Sequence, residues 1–215
     1  MINFIYLILT IYRMVKYLVS DTKRYSNILL LIFFYRPKSI VEIGVYKGVR
    51  SKEMIQAAKI FNKNIEYFGF DLFEMINKKI QKKELSKIPF SKKDIQNRLS
   101  KYARVKLFKG YTTKTLSKLK NKKVDFIFID GGHKLSTIKN DWVRSKKFQK
   151  KNTIIVFDDY YLHNKKIIKN FGCNLIVNTI PGNEYSKRFC YFTDKFIHLK
   201  KRLNIKMVFL KKIKK

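Results

Sequence analysis

Cysteine and acidic residues are scarce in this chain of 215 residues, and each scarcity limits what the protein can be. The two cysteines, Cys173 and Cys190, are too few for a disulfide framework and lack metal-ligand spacing. We therefore expect free thiols and a reducing, cytoplasmic location. Asp and Glu together number only 15, so acids that gather at particular positions are not a composition effect.

Positive charge is abundant: 49 Lys and Arg residues give a formal net charge of +34. Such a field attracts anions of any kind, including nucleic acid, anionic lipid headgroups, nucleotide sugars and phosphorylated glycans. The basic residues are spread along the whole chain, and an AT-rich genome produces the same richness in Lys without any partner. The charge alone leaves both explanations open.

A membrane-spanning segment is also missing from the sequence. The apolar stretch at the N-terminus runs for only about a dozen residues before Arg13 and Lys16, short of the roughly 20 that a bilayer requires. Its pattern suits an amphipathic helix that either lies on an anionic membrane or packs on the domain. A second helix is predicted for Asp21–Tyr35, which gives an N-terminal helical extension over residues 1–36.

The remaining residues, 37–215, carry the pattern of one α/β domain, because short β-branched and aromatic runs alternate with helical segments and no linker or repeat interrupts them. The predicted strands are Ser39–Ile43, Ile65–Phe70, Arg104–Phe108, Val124–Ile129, Thr153–Phe157, Leu175–Thr179 and Lys206–Leu210.

Several of these strands end in acid. Asp130 follows one strand, the pair Asp158–Asp159 follows the next, and Asp71 ends an earlier one. Because open α/β sheets bind ligands beyond the carboxyl ends of their strands, these side chains are expected to line one crevice. The turn Glu42–Ser51 lies at the same edge, although the dinucleotide fingerprint G-x-G-x-x-G is absent and disfavours a nicotinamide or flavin cofactor.

Five motifs in this order, VEIGVYKGVRS, YFGFDLFE, VKLFKGYTTKTL, VDFIFIDGGH and IIVFDDY, span about residues 38–165. Together they resemble a class I S-adenosylmethionine (SAM)-dependent methyltransferase, most similar to the macrocin-type sugar O-methyltransferase and cephalosporin-hydroxylase-like group. The resemblance implies a Rossmann-like sheet of strand order 3-2-1-4-5-7-6 with an antiparallel last strand, flanked by helices.

The resemblance also assigns roles to residues. The methionine portion of SAM would lie against Glu42 and the Gly44–Gly48 backbone, its ribose against Asp71, and its adenine beside Gly110 and Tyr111. The wider set of expected cofactor contacts comprises Glu42, Gly44, Tyr46, Gly48, Ser51, Asp71, Leu72, Gly110, Tyr111 and Asp130. Asp130, Asp158 and Asp159 match the positions that bind a divalent cation, and three carboxylates suit Mg²⁺ or Mn²⁺ better than zinc.

One position departs from the pattern. Relatives commonly read I-D-G-D-H, where the second Asp is assigned as the base, but this chain has Gly132 there. The neighbouring His133 either takes the role of base, beside Asp130 as the other catalytic candidate, or orients the loop.

The sequence therefore predicts transfer of a methyl group from SAM to a hydroxyl of a sugar, glycan or other polyol, with an anionic acceptor and a homo-oligomer as open options. Two alternatives remain: a metal-independent methyltransferase acting on RNA or another polyanion, and a non-catalytic membrane- or nucleic-acid-binding protein on the same fold. The three aspartates could equally be neutralised by basic side chains instead of a metal.

Overall fold

A computed structural model describes residues 2–120, 122–162, 168–198 and 201–213. Seven strands form one sheet in the order β3-β2-β1-β4-β5-β7-β6. Strand β7 runs antiparallel to β5 and β6, whereas the β3-β2-β1-β4-β5 pairings are parallel. The predicted sheet order and its antiparallel last strand are confirmed. The strands are β1 (Ser39–Ile43), β2 (Glu66–Asp71), β3 (Arg104–Lys109), β4 (Val124–Ile129), β5 (Gln149–Leu162), β6 (Tyr185–His198) and β7 (Lys201–Lys212).

Helices cover both faces of this sheet. Their bounds are α1 (Phe4–Leu18), α2 (Tyr25–Tyr35), α3 (Val49–Ala58), α4 (Lys78–Glu84), α5 (Lys92–Leu99), α6 (Thr112–Thr115), α7 (Leu135–Ser145) and α8 (Asn174–Thr179). Helices α1, α2, α3 and α5 share one apolar cluster with the sheet, and α7 and α8 share the other.

The central strands are mainly apolar, as expected where helices cover both faces of a sheet. Every residue of β1 is buried, with Ile40 facing one cluster and Val41 and Ile43 facing the other. Alternating side chains of a strand point to opposite faces, so Glu42 faces the same side as Ile40. That geometry places the Glu42 carboxylate under helix α3 and away from solvent.

The N-terminal extension is packed onto the domain. Ile28, Leu29 and Ile32 of α2 and Tyr17 of α1 are buried in the same cluster as the sheet residues. Within the described ranges, no helix is both long and apolar enough to cross a membrane. A boundary at residue 36 stays a prediction, but these helices have no core separate from that of the sheet.

Some local predictions were wrong. Leu175–Thr179 lies within helix α8, where Ile176 and Val177 are buried against the sheet, so its apolar run packs a helix face instead of forming a strand. Strand β6 was not predicted, because basic residues interrupt its pattern at the sheet edge. Helix α2 begins at Tyr25, not Asp21. Most of the helix predicted for Asn164–Asn170 lies outside the described residues, and so does His163.

Candidate active site

The predicted glycine turn lies between β1 and α3 at the carboxyl edge of the sheet. Gly44 has a φ of +95°, and a Cβ atom there would overlap the backbone carbonyl of Asp130. The turn is thus pressed against the end of β4, which only glycine permits. Gly48 also has a positive φ, of +68°, and precedes the first residue of α3. Within the turn, Tyr46 is 38% exposed.

Asp71, at the end of β2, fixes the shape of this turn. Its Oδ2 accepts hydrogen bonds from the backbone N–H groups of Val45 and Tyr46, at 2.7 and 2.8 Å, and Oδ1 accepts one from Phe73 at 3.0 Å. An ionised carboxylate has about four acceptor positions, so room remains for one more donor. A ribose hydroxyl as that donor stays a prediction.

Glu42 and Ser51 do not reach the crevice surface. Glu42 is 1% exposed, accepts a 2.5 Å hydrogen bond from Ser51 Oγ and another from the Tyr67 hydroxyl. Burial raises the pKa of Glu42 to about 8, although the Ser51 and Tyr67 hydrogen bonds oppose the shift. Ser51 lies inside α3, for which Gly48 is the N-cap. Both side chains therefore lie in the protein interior next to the glycine turn.

The predicted adenine border also lies at this edge. Gly110 follows β3 with a φ of +125°, and its N–H donates to the Asp71 carbonyl. Tyr111 is 52% exposed and precedes the first residue of α6. Leu72 continues directly from Asp71 into a short 3-10 turn. These residues adjoin the crevice, and their contact with adenine stays a prediction.

The three predicted metal-binding aspartates converge. One side-chain oxygen from each of Asp130, Asp158 and Asp159 lies within 4.8 Å of the others. Parallel pairing of β4 with β5 ends at Ile129 and Phe157, and the β5–β7 register shifts between Phe157 and Tyr160. Such an irregularity re-aims side chains at a strand end. Asp159 has a φ of +57° there, which turns its carboxylate toward Asp130.

Arg24, at the start of α2, enters this cluster from the N-terminal extension. Its Nε donates to Asp158 Oδ1 and its Nη2 to Asp158 Oδ2, both at 2.8 Å. A further guanidinium nitrogen pairs with Asp194 of β6. Nη2 also donates to the Tyr25 hydroxyl at 3.0 Å. Asp158 is 3% exposed, so this two-pronged ion pair neutralises a buried carboxylate.

His133 contacts groups on both sides of its ring. Nε2 lies 3.0 Å from Asp159 Oδ2, and Nδ1 lies 2.8 Å from the Glu84 carbonyl. Burial would lower the pKa of His133, but the Asp159 carboxylate outweighs it and raises the pKa to about 10. A charged imidazolium donating from both nitrogens cannot accept a proton. The arrangement therefore favours the orienting role over the predicted role of base.

Glu84, the last residue of α4, occupies the space left by Gly132. A Cβ atom on Gly132 would lie 2.5 Å from Glu84 Oε2. That oxygen accepts a hydrogen bond from Thr137 Oγ1 at 3.0 Å and a longer one from the Lys134 N–H. A carboxylate from another element thus stands beside the position where relatives carry Asp.

The donor chemistry of the aspartate cluster suits a hard divalent ion, because three carboxylate oxygens converge. Burial and the two neighbouring carboxylates hold the pKa of Asp130 well above its usual range. An ion bound by all three residues would compete with Arg24 for Asp158. The residues therefore fit a metal, with Arg24 as its competitor.

Sequence reasoning missed Arg24, Tyr25 and Glu84. Each belongs to a helix or helix start that is distant in sequence from the aspartates, and no local motif marks any of them. The scarcity of acidic residues gave the only available signal. In so basic a chain, an Asp pair at a strand end can bind a buried arginine as well as a metal.

A family model described as a methyltransferase domain matches residues 41–160, more than half of the chain. The matched segment begins within β1 and ends within β5, and therefore includes the glycine turn, Asp71 and the three aspartates. No curated protein matches the sequence.

Solved structures share the fold. The O-methyltransferase TomG from Streptomyces achromogenes, involved in tomaymycin synthesis and solved with SAM, is 11% identical over 86% of this chain and 78% of its own, with a TM-score of 0.59. An O-methyltransferase from Bacillus cereus in complex with SAH is 16% identical over 90% and 82%, with a TM-score of 0.57. A putative rRNA-methylase from Clostridium thermocellum is 14% identical over 86% and 95%, also with a TM-score of 0.57. At such identities the likeness concerns the fold alone.

Proposed function

The chain belongs to the methyltransferase domain family, and we propose that it transfers a methyl group from SAM to a hydroxyl oxygen of a sugar, glycan or other polyol in the cytoplasm. One observation carries the proposal: the convergence of three carboxylates beside the glycine turn, at the edge where the parallel strands end. SAM-binding solved structures of the same fold, titled O-methyltransferases, agree with it.

In this reaction the acceptor oxygen attacks the methyl carbon of SAM in line with the departing sulfur. The new C–O bond forms as the C–S bond breaks, and S-adenosylhomocysteine and a proton are released. The glycine turn and Asp71 would hold the cofactor at the same edge of the sheet as the aspartates. The many basic residues of the chain, which give a net charge of +34, would raise the local concentration of an anionic acceptor.

Asp130, Asp158 and Asp159 would hold a Mg²⁺ or Mn²⁺ ion, which lowers the pKa of an acceptor hydroxyl and fixes its orientation when bound. His133 keeps Asp159 ionised and in place, since burial alone would raise the pKa of that carboxyl and the imidazolium lowers it.

A second candidate is a metal-independent methyltransferase acting on RNA or another polyanion. Two features favour it: Arg24 and His133 already pair with Asp158 and Asp159, and the net charge is +34. One similar fold belongs to a putative rRNA-methylase.

One assay separates the two candidates. The protein is incubated with methyl-labelled SAM and, separately, with nucleotide sugars, a phosphorylated glycan and ribosomal RNA, before and after treatment with EDTA. The first proposal predicts label in a sugar or glycan, lost with EDTA and regained with Mg²⁺ or Mn²⁺. Label in RNA that is indifferent to EDTA would establish the second.

A further inference from the structure

Helix α1 presents an unpartnered apolar stripe on its outward face. Large apolar side chains recur there at the spacing of one helical face, and each is between 53 and 82% exposed: Phe4, Ile5, Ile8, Ile11, Tyr12, Val15 and Val19. Monomeric soluble proteins rarely leave so continuous an apolar patch in water. The stripe therefore marks a surface that something covers.

The opposite face fixes α1 to the domain. The helix lies antiparallel to α3: the Asn3 N–H donates to the Ile60 carbonyl at 2.9 Å, and the Tyr17 hydroxyl donates to Glu53 at 2.6 Å. Between these contacts, Arg13 donates to Gln56. Contacts along its whole length hold the helix in one orientation, so the stripe is a fixed feature of the surface.

Most of the charge beside the stripe is positive, although Asp21 is exposed just beyond the end of α1. Helix α1 carries Arg13 and Lys16 and no acidic residue. Lys23 is exposed just beyond its end, Lys63 is exposed just beyond α3, and Lys59 of α3 lies 5.5 Å from the Tyr6 ring. An apolar stripe bordered by basic residues is typical of a helix that lies in the plane of an anionic membrane surface.

We propose that α1 binds the surface of an anionic phospholipid bilayer, with the apolar stripe inserted among the headgroups and acyl chains and the flanking basic residues on the lipid phosphates. Its 15 residues span about 22 Å, too short to cross a hydrocarbon core of about 30 Å but suited to lie along it. A second copy of the chain is a poorer occupant, because two surfaces of net charge +34 repel each other, whereas anionic lipid attracts them.

A short series of contacts connects α1 to the aspartate cluster. Tyr17, near the end of α1, packs against Tyr25 with 5.9 Å between ring centroids, and Tyr25 accepts a hydrogen bond from Arg24. Arg24 in turn holds Asp158. On the proposed function, the acceptor would then be a glycan carried by a membrane lipid. The membrane contact itself does not depend on that function.

Liposome flotation tests the contact. The full chain is mixed with vesicles of phosphatidylcholine alone or phosphatidylcholine with phosphatidylglycerol. The test variant, Ile8→Gln with Val15→Gln, changes two exposed stripe residues without changing charge. The control is Val143→Gln, which alters a residue of α7 that is 53% exposed and distant in sequence. Circular dichroism and calorimetric SAM binding confirm that each variant is folded and competent.

The wild type and the Val143 variant should float with the anionic vesicles, less so at high salt, and the stripe variant should bind them about tenfold more weakly or worse, since each inserted side chain contributes to partitioning. Equal binding by the stripe variant would mean that charge alone attracts the protein, and would overturn the proposal. Absence of flotation, or a wild-type dimer that the stripe variant converts to monomer in sedimentation, would also overturn it. A wild-type protein that binds no SAM would instead count against the proposed function.

Discussion

The guanidinium of Arg24 binds both carboxylate oxygens of Asp158, with two hydrogen bonds of 2.8 Å. The pair joins the N-terminal extension to the end of β5 and occupies one of the three carboxylates that a metal would need. The protein itself thus supplies a cation, the Arg24 guanidinium, to the aspartate cluster. Any divalent ion must compete with it, and this competition can be measured without knowing the acceptor.

Replacing Arg24 by Gln should destabilise the protein and increase its response to metal. Asp158 would remain buried without its cation, which typically costs about 3–5 kcal/mol. Mn²⁺ should then raise the melting temperature of the variant more than that of the wild type, because the ion no longer displaces an arginine. Arg98→Gln is a suitable control, since Arg98 donates to an exposed backbone carbonyl. An identical response to Mn²⁺ in all three proteins would contradict the competition.

Asp159→Asn should retain the fold and the affinity for SAM but lose Mn²⁺ binding. Asn adopts a positive φ readily and keeps the shape of Asp, whereas its amide attracts a cation far less. Mn²⁺ titration followed by electron paramagnetic resonance reports the loss directly. If wild type and variant bind Mn²⁺ equally well, or if neither binds it, the assigned metal site is wrong and the metal-independent candidate takes first place.

Gly132→Asp should destabilise the protein because Glu84 already fills the space. The new side chain would crowd a carboxylate 2.5 Å from its Cβ, at a cost of roughly 1–3 kcal/mol. Adding Glu84→Ala should recover most of that loss, since the steric and like-charge conflict disappears. Gly182→Asp is the control, because nothing lies within 4 Å of a Cβ at that position. Urea unfolding of the wild type, the two single variants Gly132→Asp and Glu84→Ala, the double variant and the control would show whether the two sites couple; purely additive losses would contradict the arrangement.

Glu42 should make the wild type less stable as pH rises from about 4.5 to about 8. In that window the unfolded chain loses the Glu42 proton, near the ordinary pKa of 4.5, while the folded chain retains it because its pKa is about 8. The folded state then binds more protons, so a rise in pH favours unfolding, on the order of a few kcal/mol in total. Glu42→Gln removes this contribution. Unfolding free energies of both proteins at pH 5 and pH 9 test it; parallel pH dependences would refute it.

The positions of the parallel strands β1 to β5 and the convergence of the aspartates were predictable from the sequence, because both follow from local patterns. Buried parallel strands are continuous apolar runs, and their carboxyl ends must share one edge. Arg24 and Glu84 were not predictable, since helices α2 and α4 place them through tertiary packing. The α8 segment shows the other limit: an apolar run around Ile176 and Val177 is compatible with a strand or a short helix, and only its packing decides.

Calorimetric titration of SAM into the folded wild-type protein tests the central claim most directly. The glycine turn and Asp71 predict binding of one SAM per chain, and Asp71→Ala should weaken it by about 1.5–3 kcal/mol, because the carboxylate both fixes the turn and supplies an acceptor for ribose. Circular dichroism of the same sample establishes that the protein used in the titration is folded. A folded wild type that binds no SAM would contradict the account.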